Sequence, residues 1–456
     1  MKEDHKRLLL FLVVFIFAVL IRLFWYNQTL YANGFDGYHY IMQIQSKIET
    51  GHLHVEDSSL VYPYMMQFTW LFEDLVFSYK VAISVLAGLF ALASLKFAAN
   101  FTKEMTTLGL VGLWFIFSPS LTYMAAQFPK NLLGLVFLVL FLKYIMNRNY
   151  WLGLLFFVHL YLTHRMSAGL GFIAAMVIFS FGMSRKQLKY IIPVILVGGL
   201  ASLLLPGLIH WDDLQRMTGS LFQTLKIPPF AFIDQVGFRP MHPFWITETI
   251  LMFLLWCVFI FQIIRIYCLH KTIPSYLHYA GVLLVLILPF YPFEQAGIGF
   301  RFYLAFVILA IPLLFYIQSY SLFKMKLPLA LLILAGGLSF NFSFHPRQFD
   351  PPYALYYHIT GELENYANQC NANLIVAHEG IAQLINIHTN KTATNWDPPE
   401  NLDEHYMVRL VSGVRKRDYQ LYLSPGKLGS IQFLPGNYSM LQETTWELFY
   451  NNLKRK

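Results

Sequence analysis

The chain has 456 residues, of which 57% are hydrophobic, 17% aromatic and only 13% charged. A soluble domain carries roughly 25% charged residues, so this composition excludes an ordinary soluble enzyme and points to an integral membrane protein. The formal net charge of +8 does not mark a nucleic-acid binder, because Lys and Arg collect in short connections between apolar runs.

In chain order, Leu8 to Leu30 is long enough to cross a bilayer and follows Lys2, Lys6 and Arg7. No small-residue cleavage site follows it, so it reads as a first transmembrane helix with the N-terminus in the cytoplasm. Arg22 lies in its outer half, where a guanidinium must face the protein interior or snorkel outward. The loop that follows opens Asn33-Gly34-Phe35-Asp36-Gly37-Tyr38-His39-Tyr40, continues through the polar stretch Ile41 to Glu49, and carries Glu56-Asp57 and Tyr62-Pro63. A carboxylate among aromatics at a membrane edge is costly, and Asp36 on its glycine-flanked turn is the first catalytic candidate. An interfacial loop with a tyrosine belt is the plainer reading of the same residues.

Further apolar runs lie at about 77–99, 106–124, 132–146, 151–163, 167–183, 190–209, 246–266, 276–291, 300–319 and 327–341, giving about eleven spans. The inner connections are then basic, with Lys103, Lys143, Arg148, Arg185, Lys186, Lys189, Arg265, Lys271, Lys324 and Lys326. The outer ones hold Asp36, Glu56, Asp57, Asp212, Asp213, Asp234 and Glu294, the asymmetry expected of a chain with its N-terminus inside. An odd span count places the C-terminus outside. The outer loops run over 31–76 and 210–245, the second shaped by Pro228, Pro229 and Pro240.

From His345 the composition changes to that of a soluble domain after a linker with Pro346, Pro351 and Pro352. Helices are expected at Tyr353 to Cys370 and Glu379 to Ile387, and strands at Asn373 to Ala377 and Tyr419 to Leu423. The expected architecture is therefore an all-α polytopic membrane domain over 1–344 with a small C-terminal α/β extracytoplasmic domain over 345–456. The three cysteines, Cys257, Cys268 and Cys370, offer neither a disulfide framework nor paired metal spacing.

The polar candidates gather on one side of the membrane: Asp36 as the catalytic group, and His39, Glu56, Asp57, Lys130, His164, Arg165, Arg239, Glu294, Arg301 and Arg22 as substrate-binding residues. Carboxylates and guanidinium groups at outer helix ends together suit an anionic-ligand cavity with a general base. Several also have a structural reading. Glu56-Asp57 suits a solvated surface, His164-Arg165 a short turn, and Glu294 with Arg301, two helical turns apart, an ion pair.

The order of these segments resembles the GT-C superfamily of polytopic glycosyltransferases. Arg22 in a first helix, then Asp36-Gly37-Tyr38-His39-Tyr40, is similar to the first outer loop of oligosaccharyltransferase catalytic subunits. Phe128-Pro129-Lys130-Asn131-Leu132-Leu133, Leu162-Thr163-His164-Arg165 and Phe300-Arg301-Phe302-Tyr303 resemble family segments that begin successive helices. The last looks like the Arg-Tyr element of the protein mannosyltransferase and aminoarabinose transferase branches. The resemblance implies an inverting transfer from a polyprenyl-phosphate sugar to a glycan, lipid or protein acceptor. In it, Asp36 takes the acceptor proton, and Arg301 with Lys130 or Arg165 neutralises the departing phosphate. No second acidic motif stands near Met124 to Asn131, so no cofactor is expected, with a divalent metal as the alternative. Asn395-Trp396-Asp397 does not make the Trp-Trp-Asp-x-Gly of sequon transferases. A transporter or flippase for a lipid-linked or anionic solute is the competing class, though it would be expected to show internal repeats and midplane polar groups.

Overall fold

In the computed structural model the described residues are 3–34, 36–55, 57–100, 102–182, 242–268, 301, 304–305, 307–309, 326–346, 353–369, 374–377, 379–394, 407–412, 418–423 and 426–432. The spans expected at 190–209 and 276–291, most of 300–319 and most of the outer loop 210–245 lie outside them. So do three candidate site residues, Glu56, Arg239 and Glu294. The chain divides into two compact units. One comprises Met1–Trp25, Ser58–Val61 and Val81–His345, the other Tyr26–Asp57, Tyr62–Lys80 and Pro346–Lys456.

Most of the described chain is helical. Among the described residues, three helices are long and apolar enough to cross a membrane: α1 (Glu3–Tyr26), α4 (Leu75–Ala98) and α7 (Pro129–Met146). They differ in surroundings. Only 22% of the apolar window of α1 is buried, against 72% for α4 and 67% for α7. In α1, Val14, Ala18, Arg22 and Trp25 recur at helical spacing on the buried side, while Leu9, Leu12, Ile16, Phe17, Leu20 and Phe24 face outward. That pattern makes α1 a peripheral helix with an uncovered apolar face and α4 and α7 interior ones.

The run expected as one span over 106–124 is two helices, α5 (Met105–Phe117) and α6 (Pro119–Gln127), bent by 48° at Ser118. The break has a local cause. Proline disfavours a helical residue before it, and Ser118 sits at ψ 116°, with Pro119 opening α6 and the Ser118 hydroxyl accepting from the Leu121 amide at 3.1 Å. Two buried ionisable side chains then complete the junction. Arg22 donates to the carbonyls of Phe115 at 2.8 Å and Ile116 at 3.3 Å, at the C-terminal end of α5. Glu248 accepts from the Ser120 amide at 3.0 Å, in the first turn of α6, and from Ser118 Oγ at 2.5 Å and Trp114 Nε1 at 2.9 Å. A cation on the last carbonyls of one helix and a carboxyl accepting from the first turn of the next satisfy groups that helix ends leave without intrahelical partners. Arg22 therefore faces the interior.

Helices α7, α8 (Tyr150–Thr163) and α9 (Arg165–Gly182) pack as consecutive antiparallel neighbours, with α7 also against α9. α10 (Pro243–Cys268), which carries Glu248, packs on α6 and on α11 (Lys326–Ser343). His242 precedes α10 and shares the Ser339 and Ser343 hydroxyls of α11 at 3.2 and 3.3 Å.

In the second unit, the polar stretch read as loop forms α2 (Gly37–Thr50), and residues 61–69 form α3 (Val61–Thr69). α2 is amphipathic, burying Tyr38, Tyr40, Ile41, Met42 and Ile44. After α12 (Tyr353–Gln369) and α13 (Glu379–His388), β1 (Leu374–Val376), β2 (Thr392–Thr394), β3 (Met407–Ser412), β4 (Asp418–Leu423) and β5 (Gly426–Gln432) form one sheet in the order β2-β1-β3-β4-β5. β1 is parallel to both neighbours, and β3, β4 and β5 are antiparallel. α12 buries Tyr353, Tyr356, Ile359, Leu363 and Ala367 at helical spacing, and α13 buries Ile381, Leu384 and Ile385.

Candidate functional site

The candidates fall into two clusters, one in each unit. In the first unit the cluster is cationic. Lys130 lies in the first turn of α7 and Arg165 opens α9, and neither helix has an acidic residue in its first turn. Because α8 runs back between them, both N-termini stand at one end of the three-helix hairpin. A helix N-terminus already carries about half a positive charge, so a cation there adds to the field instead of cancelling it. Such an end attracts anions.

A cleft at this end is lined by Met124, Asn131, Leu135, His164, Ser167, Leu170, Arg301 and Ala305, with a volume of about 20 Å³. His164 is the residue between α8 and α9. Its Nδ1 accepts from the Ser167 amide at 3.3 Å and lies 2.8 Å from Ser167 Oγ. An amide can only donate, so Nδ1 is the acceptor nitrogen and Nε2 carries the proton of the neutral ring. α7 approaches this turn closely at Gly134, where a Cβ would meet the His164 Cβ at 2.9 Å and Ser167 Oγ at 3.1 Å. Arg301 lies over the Phe128 ring, its guanidinium carbon 4.7 Å from the centroid. Its Nε is buried, and Arg301 makes no hydrogen bond or ion pair with any described residue. Three separated stretches, 128–131, 162–165 and 301, thus meet in one place. The segment Ser58–Val61 is anchored in the same unit, Ser59 Oγ donating to the Thr163 carbonyl at 2.8 Å.

In the second unit the cluster is acidic and aromatic. Asp36 occupies the N-cap position of α2, yet its carboxylate makes no capping hydrogen bond. The usual structural reason for an aspartate before a helix is therefore missing. Gly34, two residues earlier, has φ +87°, a left-handed conformation that glycine adopts without strain. Asp57 Oδ2 accepts from Tyr62 OH at 3.3 Å. Burial, then Tyr40, Asp57 and Asp36 push the Tyr62 phenol well above its ordinary value, so it stays a neutral donor beside two carboxylates. His39 is half-buried and edge-on to Tyr40 at 5.8 Å. This arrangement can hold a hydroxyl-bearing ligand and take a proton from it. No group of three His, Cys, Asp or Glu side chains that could hold a metal occurs among the described residues.

Arg22, expected among the ligand-binding residues, has its guanidinium on the α5 carbonyls. Glu248 was not among the expected residues. Its signal was present, since one carboxylate inside a long apolar run needs a partner. No protein-family model matches the chain, and no curated protein matches it.

Proposed function

We propose that the chain is a membrane glycosyltransferase of GT-C type. It moves a sugar from a polyprenyl-phosphate donor to an acceptor hydroxyl on the outer face of the membrane, with inversion at the anomeric carbon. The observation that carries the reading is Arg301, a guanidinium over Phe128 with no carboxylate partner among the described residues, in a cleft shared with His164, Ser167 and Asn131. Such a group suits a phosphate ester, which accepts the planar fork of an arginine bidentately.

In this reading Asp36 takes the proton of the acceptor hydroxyl as its oxygen attacks the anomeric carbon. The bond to the phosphate oxygen breaks, and the lipid phosphate leaves with the electron pair. Arg301, with Lys130 and Arg165 at their helix starts, stabilises the developing phosphate charge, a contribution often larger than that of the base. His39 and Asp57, with Glu56, bind the acceptor side, and Arg239 and Glu294 belong to the outer loops. The full architecture is about eleven spans, with the N-terminus cytoplasmic and an α/β domain outside.

Purified protein in liposomes, supplied with a panel of polyprenyl-phosphate sugars and labelled acceptors, tests this directly. A new glycoside dependent on one donor supports the reading. Solute or lipid movement without a covalent product would replace it with a transporter.

A further inference from the structure

The acidic turn is held from two sides. Residues 27–34 form no helix or strand, so each buried carbonyl in this stretch needs a partner from elsewhere. From α4, Lys80 Nζ donates to the Thr29 carbonyl, and Tyr79 OH donates to the Asn33 carbonyl at 3.1 Å. From α12, Tyr353 OH donates to the Gly34 carbonyl at 2.5 Å. One helical turn on, the Tyr357 hydroxyl lies 2.9 Å from that of Tyr38 and 2.7 Å from His388 Nε2.

The groups of this chain are held neutral. Burial favours the neutral form of His388 and, together with Tyr357, keeps the Tyr38 phenol protonated. Tyr38, Tyr357 and His388 Nε2 thus form one hydrogen-bonded chain of neutral groups. Ring contacts support the same grip. Tyr38 meets Tyr353 edge-on at 4.8 Å, and Tyr31 lies 5.3 Å from Tyr357. α13 adds a contact of its own, Asn386 Nδ2 to Met42 Sδ at 3.8 Å.

Asp36 lies midway between the two points where α12 grips, two residues after Gly34 and two before Tyr38. We propose that α12 is a clamp on the catalytic turn, with Tyr353 and Tyr357 as positioning residues that hold Asp36 in place. This inference rests on the reading of Asp36 as the base. It gives the C-terminal residues a part in turnover: they fix the reacting group without touching substrate.

The test uses the full chain with Tyr353→Phe, Tyr357→Phe and, as a control on the exposed face of the same helix, His358→Gln. Amide exchange over residues 34–40, the melting temperature, kcat and the donor KM are measured on each. Loss of one hydroxyl should raise exchange in the turn about fivefold. Misplacement of a reacting group should lower kcat roughly 10- to 100-fold with donor KM unchanged. His358→Gln should change neither. Unchanged exchange in both phenylalanine variants overturns the clamp, and so does raised exchange with full kcat. A wild-type chain that transfers no sugar refutes the enzyme reading alone, and the exchange result then decides whether α12 holds the turn.

Discussion

The Arg301 guanidinium carbon lies 4.7 Å from the centre of the Phe128 ring. Residues far apart in the chain are joined by a contact that fixes the cation while leaving its N–H edge for another ligand. A lysine would keep the charge and lose both the stacked plane and the bidentate fork. Arg301→Lys should therefore lower kcat/KM for the donor about 10- to 100-fold, with the melting temperature in detergent unchanged. Unfolding of this variant would make Arg301 a structural cation.

A second expectation concerns the broken helix. Replacing Glu248 by leucine removes the acceptor for Trp114 Nε1, Ser118 Oγ and the Ser120 amide, all buried. The cost should be on the order of 3 kcal/mol. Glu248→Gln keeps an acceptor oxygen and should lose about 1 kcal/mol. Arg22→Met strips the α5 carbonyls of their donor and should resemble Glu248→Leu. Wild-type stability in all three variants, measured by denaturant titration in detergent, would show that the junction does not depend on these side chains.

The apolar helices that lie in the described residues were legible because each is an apolar run with turn residues at its ends. The start of α7 at Pro129, of α8 at Tyr150 and of α10 at Pro243 fall within a few residues of expectation. The split at Ser118 was hidden because apolar residues continue on both sides, and only Pro119 marks it. α2 was hidden for the opposite reason. His39, Gln43, Gln45 and Ser46 make the stretch look polar, while Tyr38, Tyr40, Ile41 and Ile44 share one buried face. In the site, residue types and order were legible for the 128–131, 164–165 and 301 group. The grip of Tyr353 and Tyr357 on the acidic turn joins positions over 300 residues apart, and no local pattern announces it.

Orientation is testable without activity. The proposed alternation of basic inner and acidic outer connections predicts the N-terminus in the cytoplasm and the C-terminal residues outside. A reporter active only outside the cytoplasm, fused after Lys456, should be active, and its cytoplasmic counterpart silent. The reverse result would overturn the span count and the shared-face argument built on it.

The sharpest expectation is for Asp36. An aspartate at an N-cap normally survives exchange to asparagine because Asn caps as well, but here the carboxylate makes no capping hydrogen bond. Amidation keeps the shape and removes the proton affinity, so a base loses turnover while an interfacial side chain does not. Asp36→Asn should fold and bind donor as the wild type does, with kcat lower by about 10²- to 10⁴-fold. Asp57, bonded to Tyr62 OH, has a hydrogen-bonding task that asparagine can share, so Asp57→Asn should lose far less. Turnover of both purified variants at saturating donor separates the cases. Full turnover of Asp36→Asn would remove the base from this turn and direct attention to Glu56, Asp57 or Asp212. Loss of donor binding with normal turnover at saturation would make Asp36 a positioning group instead.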